Sequence, residues 1–421
     1  MTIAVLVLVI VCVLKTCASA GLDYLNMRNV RANSKAVPEA FKSFMDFETY
    51  AKSTSYTEAK TKFSIVGDFF DLAVLLALLV SGAFPIMFNY FLGIFGSGFF
   101  AQALSLIAIM IAISIPSLPF DYYEQFVIEQ KFGFNKSSVG LWISDKIKGL
   151  IITVVLCVPI CALILWFASK FENTWWIWAF VAVALFQIVM IIIYPMFIVP
   201  LFNKLEDLPE GELKTSLFNL ANRGKFFAKS IQVIDGSRRS SHSNAYFTGF
   251  GKFRRIVLFD TLIEQLERIE IEAVLAHEIG HYRKGHIKKM ILTSFAMTLL
   301  MFAFMGYIAD STWFYTQFGF DKSQGFGSVI LIYSLFAGAF MFWFAPITNF
   351  FSRKHEYEAD AFAAALCNGG ESLISALKKL HKKNLGNLTP HPLYSAFHYS
   401  HPTLAERMNA LQKYSPNKNE E

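Results

Sequence analysis

Seven stretches of this chain are apolar over about the ~20 residues needed to cross a hydrocarbon layer: 2–20, 64–93, 99–119, 149–169, 174–198, 291–313 and 326–350. They divide it into a membrane region over 1–198, a polar segment over 199–290, a pair of spans over 291–350 and a polar C-terminal segment over 351–421. Asp23 to Lys62 is polar and expected to be helical, with Asp68 and Asp71 near the entry of the second span. There they face an aqueous interior or mark the interface. A glycine-rich break falls at Gly93–Gly98, and Phe120 to Lys148 is an amphipathic connector. In 199–290, the β-branched runs Ile231–Ile234 and Arg255–Phe259 predict strands. The second leads through Asp260, as N-cap, into a helix with Ile269, Ala273, Ala276 and Gly280 at helical spacing. That helix is expected to run through Gly285 into the sixth span, and the tail Pro416–Glu421 to be disordered.

Composition agrees: 54% hydrophobic residues, 17% charged and a mean hydropathy of +0.43 exclude an ordinary soluble globular protein. With seven spans, one membrane face carries 21–63, 120–148, 199–290 and 351–421, which hold 35 of the 38 lysines and arginines. That asymmetry places the long loops and the C-terminus in the cytoplasm. Ala18-Ser19-Ala20 resembles a signal-peptidase site, but cleavage there would translocate the basic segment 21–63, so an uncleaved anchor is expected. The net charge of +6 follows from this topology, and with no clustered basic tract it does not call for nucleic acid. Four of the five cysteines lie in apolar spans, and neither a disulfide framework nor a cysteine metal site is readable.

The chemistry lies in His277-Glu278-Ile279-Gly280-His281, an HExxH zinc-protease signature. On a helix, His277 and His281 project from one face and can reach one metal ion. Glu278 lies about 100° further round, where a general base for a metal-activated water belongs. A catalytic zinc also needs a third protein ligand and an open position. Ser352 to Asp360 supplies the candidate: Glu356 can bind the metal, while Asp360, four residues on, accepts a hydrogen bond from a ligand histidine. Alone this pair would be a solvated acidic face; with the upstream HExxH it completes a site. Glu358 and His355 point elsewhere, as surface or supporting groups. His286, five residues past His281, is rotated off the metal side and expected to serve as a helix-end charge or in packing. Ser240 and Ser241 beside His242 lack a placed acidic partner, so serine catalysis is not adopted. His281 lies ten residues before the sixth span and Glu356 six after the seventh. The metal would then sit roughly 10–15 Å from the hydrocarbon, on helices that extend two spans, facing substrates held at the membrane.

The His277–His281 pentapeptide, followed two spans later by Ser352–Asp360, resembles the type I CAAX prenyl protease family of membrane zinc metalloproteases. Ser241–Gly249 resembles that family's substrate-binding edge strand, and Pro200–Asn203 and Ile128–Asn135 its loop segments. Tyr399–Arg407 resembles its C-terminal His-Pro motif with a following arginine. The matches run from about residue 120 to 410.

The resemblance implies a mainly α, polytopic fold whose seven transmembrane helices enclose an intramembrane chamber, with a small α+β zinc protease domain. It implies one Zn²⁺ on His277, His281 and Glu356, with Glu278 activating water. Asn244 and Ala245 would bind an extended substrate by strand addition, and His401 and Arg407 would stabilise the oxyanion or hold substrate. The implied activity removes the last three residues of isoprenylated CAAX proteins, in the endoplasmic reticulum or inner nuclear membrane, or a bacterial inner membrane. Two other readings stand beside it: a quality-control zinc protease without a prenyl requirement, and a catalytically silent scaffold, against which the presence of Glu278 and all three ligands argues. Lipid preference and oligomeric state stay open.

Overall fold

The computed structural model describes residues 1–248 and 254–414; Gly249, which ends the edge-strand segment quoted above, and the tail from Pro416 lie outside the described residues. Helix α1 (Ile3–Asn33) starts on Thr2, whose hydroxyl caps Val5, and α2 (Phe47–Val80) starts on Asp46, whose carboxylate caps Thr49. Both run well past their apolar windows, so the polar stretch after the first span is helical except around 34–46. The apolar run 64–93 is not one element. Gly82 adopts φ 69°, ending α2 and launching the short α3 (Ala83–Phe95), because only glycine takes that backbone cheaply. Residues 120–132, expected as a connector, continue α4 (Phe99–Phe132) through a π-helical stretch at Glu124–Glu129. The fourth and fifth spans are α5 (Val139–Lys170) and α6 (Glu172–Phe202).

The polar segment then builds β1 (Leu205–Asp207), α7 (Glu212–Arg223), β2 (Ser230–Ile234), β3 (Ala245–Thr248) and β4 (Arg255–Phe259). The sheet order is β1-β2-β4-β3, with β2 and β4 parallel and both outer pairs antiparallel. β3 is therefore an edge. Asp260 is the first residue of a short helix, α8 (Asp260–Gln265), and not its N-cap; its carboxylate accepts the N–H groups of Ser237 and Thr261. The HExxH helix is a separate element, α9 (Arg268–Arg283), opened by a Glu267–Glu270 capping box. Ile269 is half exposed; the buried stripe is Glu270, Ile271, Ala273, Ala276, Ile279 and Gly280. Nor does α9 continue into the membrane. Gly285, φ 69°, breaks it from α10 (His286–Ala309), the sixth span. After α11 (Thr312–Gln317), the seventh span is α12 (Gly327–Leu366), 40 residues long, which carries Glu356 past its apolar stretch through a 3₁₀ turn at Phe342–Phe344. α13 (Glu371–Lys383), α14 (Pro392–His398) and α15 (Leu404–Gln412) close the chain.

Two cores result. One lies among the membrane helices around Phe88, Ile109 and Val329, and the other joins the sheet to α9, α12, α13 and α15 around Leu217, Ile256, Leu275 and Leu411. Apolar residues such as Leu292 and Tyr307 face outward, as a bilayer-facing surface requires.

Candidate active site

α9 and α12 approach closely because residue 280 has no side chain: a Cβ there would lie 3.0 Å from both Cα and O of Ala359. Close contact brings His277 and His281 of one helix against Glu356 and Asp360 of the other. His277 Nε2 and His281 Nε2 are 3.1 Å apart, and the Glu356 carboxylate lies 3.4 and 3.1 Å from them. A tetrahedral zinc with bonds near 2.0–2.1 Å separates its ligand atoms by roughly 3.3 Å.

The tautomers make the fit chemical as well as geometric. His277 Nδ1 lies 2.8 Å from Asp360 Oδ1, to which it donates. His286 Nε2 donates to Glu358 at 3.1 Å, so its Nδ1 accepts from His281 Nδ1 at 3.0 Å. The two Nε2 atoms therefore face each other and the Glu356 carboxylate, His277 toward Oε2, which is buried without a hydrogen-bond partner, and His281 toward Oε1. Once His277 gives up its Nε2 proton, three electron-pair donors face one point, which fits a divalent cation.

The local field favours positive charge. Burial pulls the His277 pKa down, but Asp360 and Glu356 outweigh it and raise the value to about 9. Burial pushes the Glu278 carboxyl above its ordinary range, against the opposing pull of His277 and His281. Arg407 is buried and bonds Asp360 through Nε at 2.9 Å and Nη2 at 2.5 Å, while its Nη1 lies 3.7 Å from Glu356 Oε2. Two of its nitrogens engage the Asp360 carboxylate, Nη2 also lies 3.3 Å from His277 Nδ1, and Nη1 faces the ligand carboxylate. His401 sits on the open side, its side chain 63% exposed and its Nε2 3.4 Å from Glu356 Oε1.

β3 packs beside α9. Asn244 accepts the N–H of Phe259, and Tyr246 pairs with Val257, so the antiparallel alternation turns the main-chain groups of Ala245 and Phe247 to the unpaired edge. Asn244 is exposed, and its Oδ1 accepts the Ala245 N–H at 2.8 Å. An apolar groove of about 600 Å³ adjoins this edge, walled by Tyr246 and Phe247 and by Phe186, Met190 and Ile191 of α6 and Phe295 of α10.

Residues 26–204 match the family model described as CAAX prenyl protease N-terminal, five membrane helices, and residues 207–415 match Peptidase family M48. The chain belongs to peptidase family M48. Similar M48 proteins include the CAAX prenyl protease 1 of Saccharomyces cerevisiae, 40% identical over 94% of this chain and 93% of that protein. The homologue from Homo sapiens is 32% identical over 91% and 90% of the two chains. The crystal structure of S. mikatae Ste24p superposes with a TM-score of 0.91 at 37% identity, covering 97% of this chain and 98% of that one. Family membership makes the chain a multi-pass membrane metalloendopeptidase, mainly helical with a small sheet.

In this M48 chain one participant escaped sequence reasoning. His286 is 1% exposed, stacked on His355 with ring centroids 4.1 Å apart, and bonded to His281. Extrapolating a straight helix turns it away from the metal side; the reversal at Gly285 brings it back. The available signal was that glycine, immediately before a histidine.

Proposed function

We propose that this chain is a zinc-dependent CAAX protease, removing the three C-terminal residues of isoprenylated proteins, with its site on the cytoplasmic face. The observation carrying this is the convergence of His277, His281 and Glu356 beside an unpaired strand edge that opens on an apolar groove. The groove suits a lipid attached to a peptide lying along β3, and the named CAAX protease relatives support that substrate class. Those relatives are eukaryotic, which favours the endoplasmic reticulum or inner nuclear membrane over a bacterial inner membrane.

His277, His281 and Glu356 would hold zinc, which when bound supplies Lewis acidity, polarising a carbonyl and acidifying water. Glu278, half-buried and with its proton affinity raised by partial loss of solvent, takes the proton of the attacking water and returns it to the leaving amine. His401, on the open side, donates to the oxygen that develops charge. Asp360 fixes the His277 tautomer, and Arg407 holds Asp360 in place from behind, so we assign Arg407 to positioning. The side-chain amide N–H₂ of Asn244 and the outward carbonyl of Ala245 hold the substrate extended.

The test is cleavage of matched farnesylated and unlipidated C-terminal peptides by the purified protein. The lipidated peptide is expected to be cut at least about tenfold faster, roughly what burying a few methylenes is worth. Equal rates would favour the quality-control reading instead.

A further inference from the structure

Away from the metal-ligand set, two cavities of about 400 and 360 Å³ share Lys60, Asp121 and Glu124 as a common wall. The first also includes Ser240 and His242, just before the edge strand; the second reaches inward to Asp23, Asp68 and Asp71. Six carboxylates line this run: Asp23, Asp68, Asp71, Asp121, Glu124 and Glu129. Three lysines answer them. Lys60 lies 3.1 Å from both Glu124 and Glu129, Lys146 pairs with Asp121, and Lys15 is 3.9 Å from Asp68. Among the described residues Asp71 has only the hydroxyl of Ser117. Asp23 is 5% exposed, lines the inner cavity, and has neither a hydrogen bond nor an ion pair among the described residues. A carboxylate buried in a membrane protein with no partner is costly, and such groups mark binding paths.

We propose that this run receives basic side chains of the substrate, with Asp23 and Asp71 as the unneutralised acceptors. It rests on the reading of the chain as a CAAX protease. Only three residues lie beyond the scissile bond, so a cation that reaches Asp23 from the edge strand belongs to the segment upstream. Prenylated C-termini commonly carry lysine-rich sequence there. The charge deficit, the unpartnered Asp23 and the reach of the outer cavity to Ser240 and His242, just before β3, all call for the same ligand: lysine or arginine on an extended chain.

The experiment uses the full-length protein reconstituted in lipid and farnesylated peptides differing only in upstream lysine or glutamine. The lysine peptide is expected to show a KM about tenfold lower, the worth of one or two charge-assisted hydrogen bonds. In Asp23→Asn and in Asp71→Asn that ratio should fall toward one, and raised salt should erode it in the wild type. Equal KM values in the wild type, or a ratio unchanged in both variants, overturn the proposal. Binding of an unlipidated lysine-rich peptide is measured in parallel by fluorescence anisotropy. If no prenylated peptide is cleaved, the protease reading fails while Asp23-dependent peptide binding still decides this one. Asp23-dependent binding of Ca²⁺ or Mg²⁺ without peptide binding would overturn it in favour of an inorganic cation site.

Discussion

α9 and α12 bring the proposed metal ligands together, yet they are anchored differently. α12 runs from Gly327 to Leu366 through one 3₁₀ turn at Phe342–Phe344, so Glu356 and Asp360 are carried on the helical extension of the seventh span. α9 is separated from the sixth span by the reversal at Gly285 and is seated in the soluble core, with Ile271, Leu275 and Ile279 each about 1–2% exposed. One arm of the site follows the membrane and the other follows the sheet. They are joined at the Gly280–Ala359 contact and by the shared ligand set. Metal affinity therefore reports how well the two halves are registered, and hydrolysis reports something more.

Separating those two readouts should give the largest effect. Glu278→Ala removes a proton acceptor that belongs to neither ligand arm, so turnover should fall by about 10²–10⁴-fold with zinc content intact. Glu356→Ala, on the α12 arm, should lose turnover and bound zinc together in elemental analysis of purified protein. A full equivalent of zinc in the second variant would remove Glu356 from the ligand set.

Next in size is the α9 arm's own support. His286→Ala frees the His281 ring and should weaken zinc by about 10–100-fold in chelator competition. Glu358→Gln, which leaves His286 in place, should cost less. Equal losses would mean that charge at Glu358, and not the tautomer it fixes, governs the site.

Much of this was legible in the sequence and some could not be. The seven spans follow from the length of apolar runs, and His277, His281, Glu356 and Asp360 follow from spacing on helices. The strands at 231–234 and 255–259 were marked by β-branched residues between turns. The breaks at Gly82 and Gly285 could be marked only by the glycines themselves, because hydropathy and helix periodicity carry no information on the sign of φ, and apolar residues flank Ser81-Gly82 on both sides. The engagement of Arg407 with Asp360 joins residues 47 positions apart, which no local pattern encodes.

The two glycines test the anchoring directly. Gly280→Val forces a branched side chain against Ala359 and should cost about 1–3 kcal/mol, lowering both Tm and zinc affinity. Gly285→Ala strains only the left-handed reversal, at about 1 kcal/mol, and meets no neighbour. It should lower Tm while leaving zinc affinity unchanged, since the seat of α9 on the sheet is untouched. Loss of zinc in Gly285→Ala would show that α9 takes its position from the membrane after all.

The smallest effect expected is a pH dependence in the tether of α9. Glu270 is 2% exposed and accepts from Ser375 at 2.6 Å, Lys379 at 2.8 Å and the Glu267 N–H at 2.8 Å. Burial acts to raise its pKa, but these donors outweigh it and hold the carboxyl below its ordinary value of 4.5. A depressed folded pKa means that the unfolded chain binds the proton first as pH falls. The stabilisation is therefore complete above 4.5 and lost as pH drops through the folded value. Glu270→Gln keeps the shape and removes the charge, so it should lower stability by about 1 kcal/mol at neutral pH. Its melting temperature should converge with the wild type below pH 4.5. Both proteins lose metal alike in acid, so the difference between them isolates the tether. A gap that stays constant from neutral to acidic pH would show that Glu270 holds α9 by shape alone.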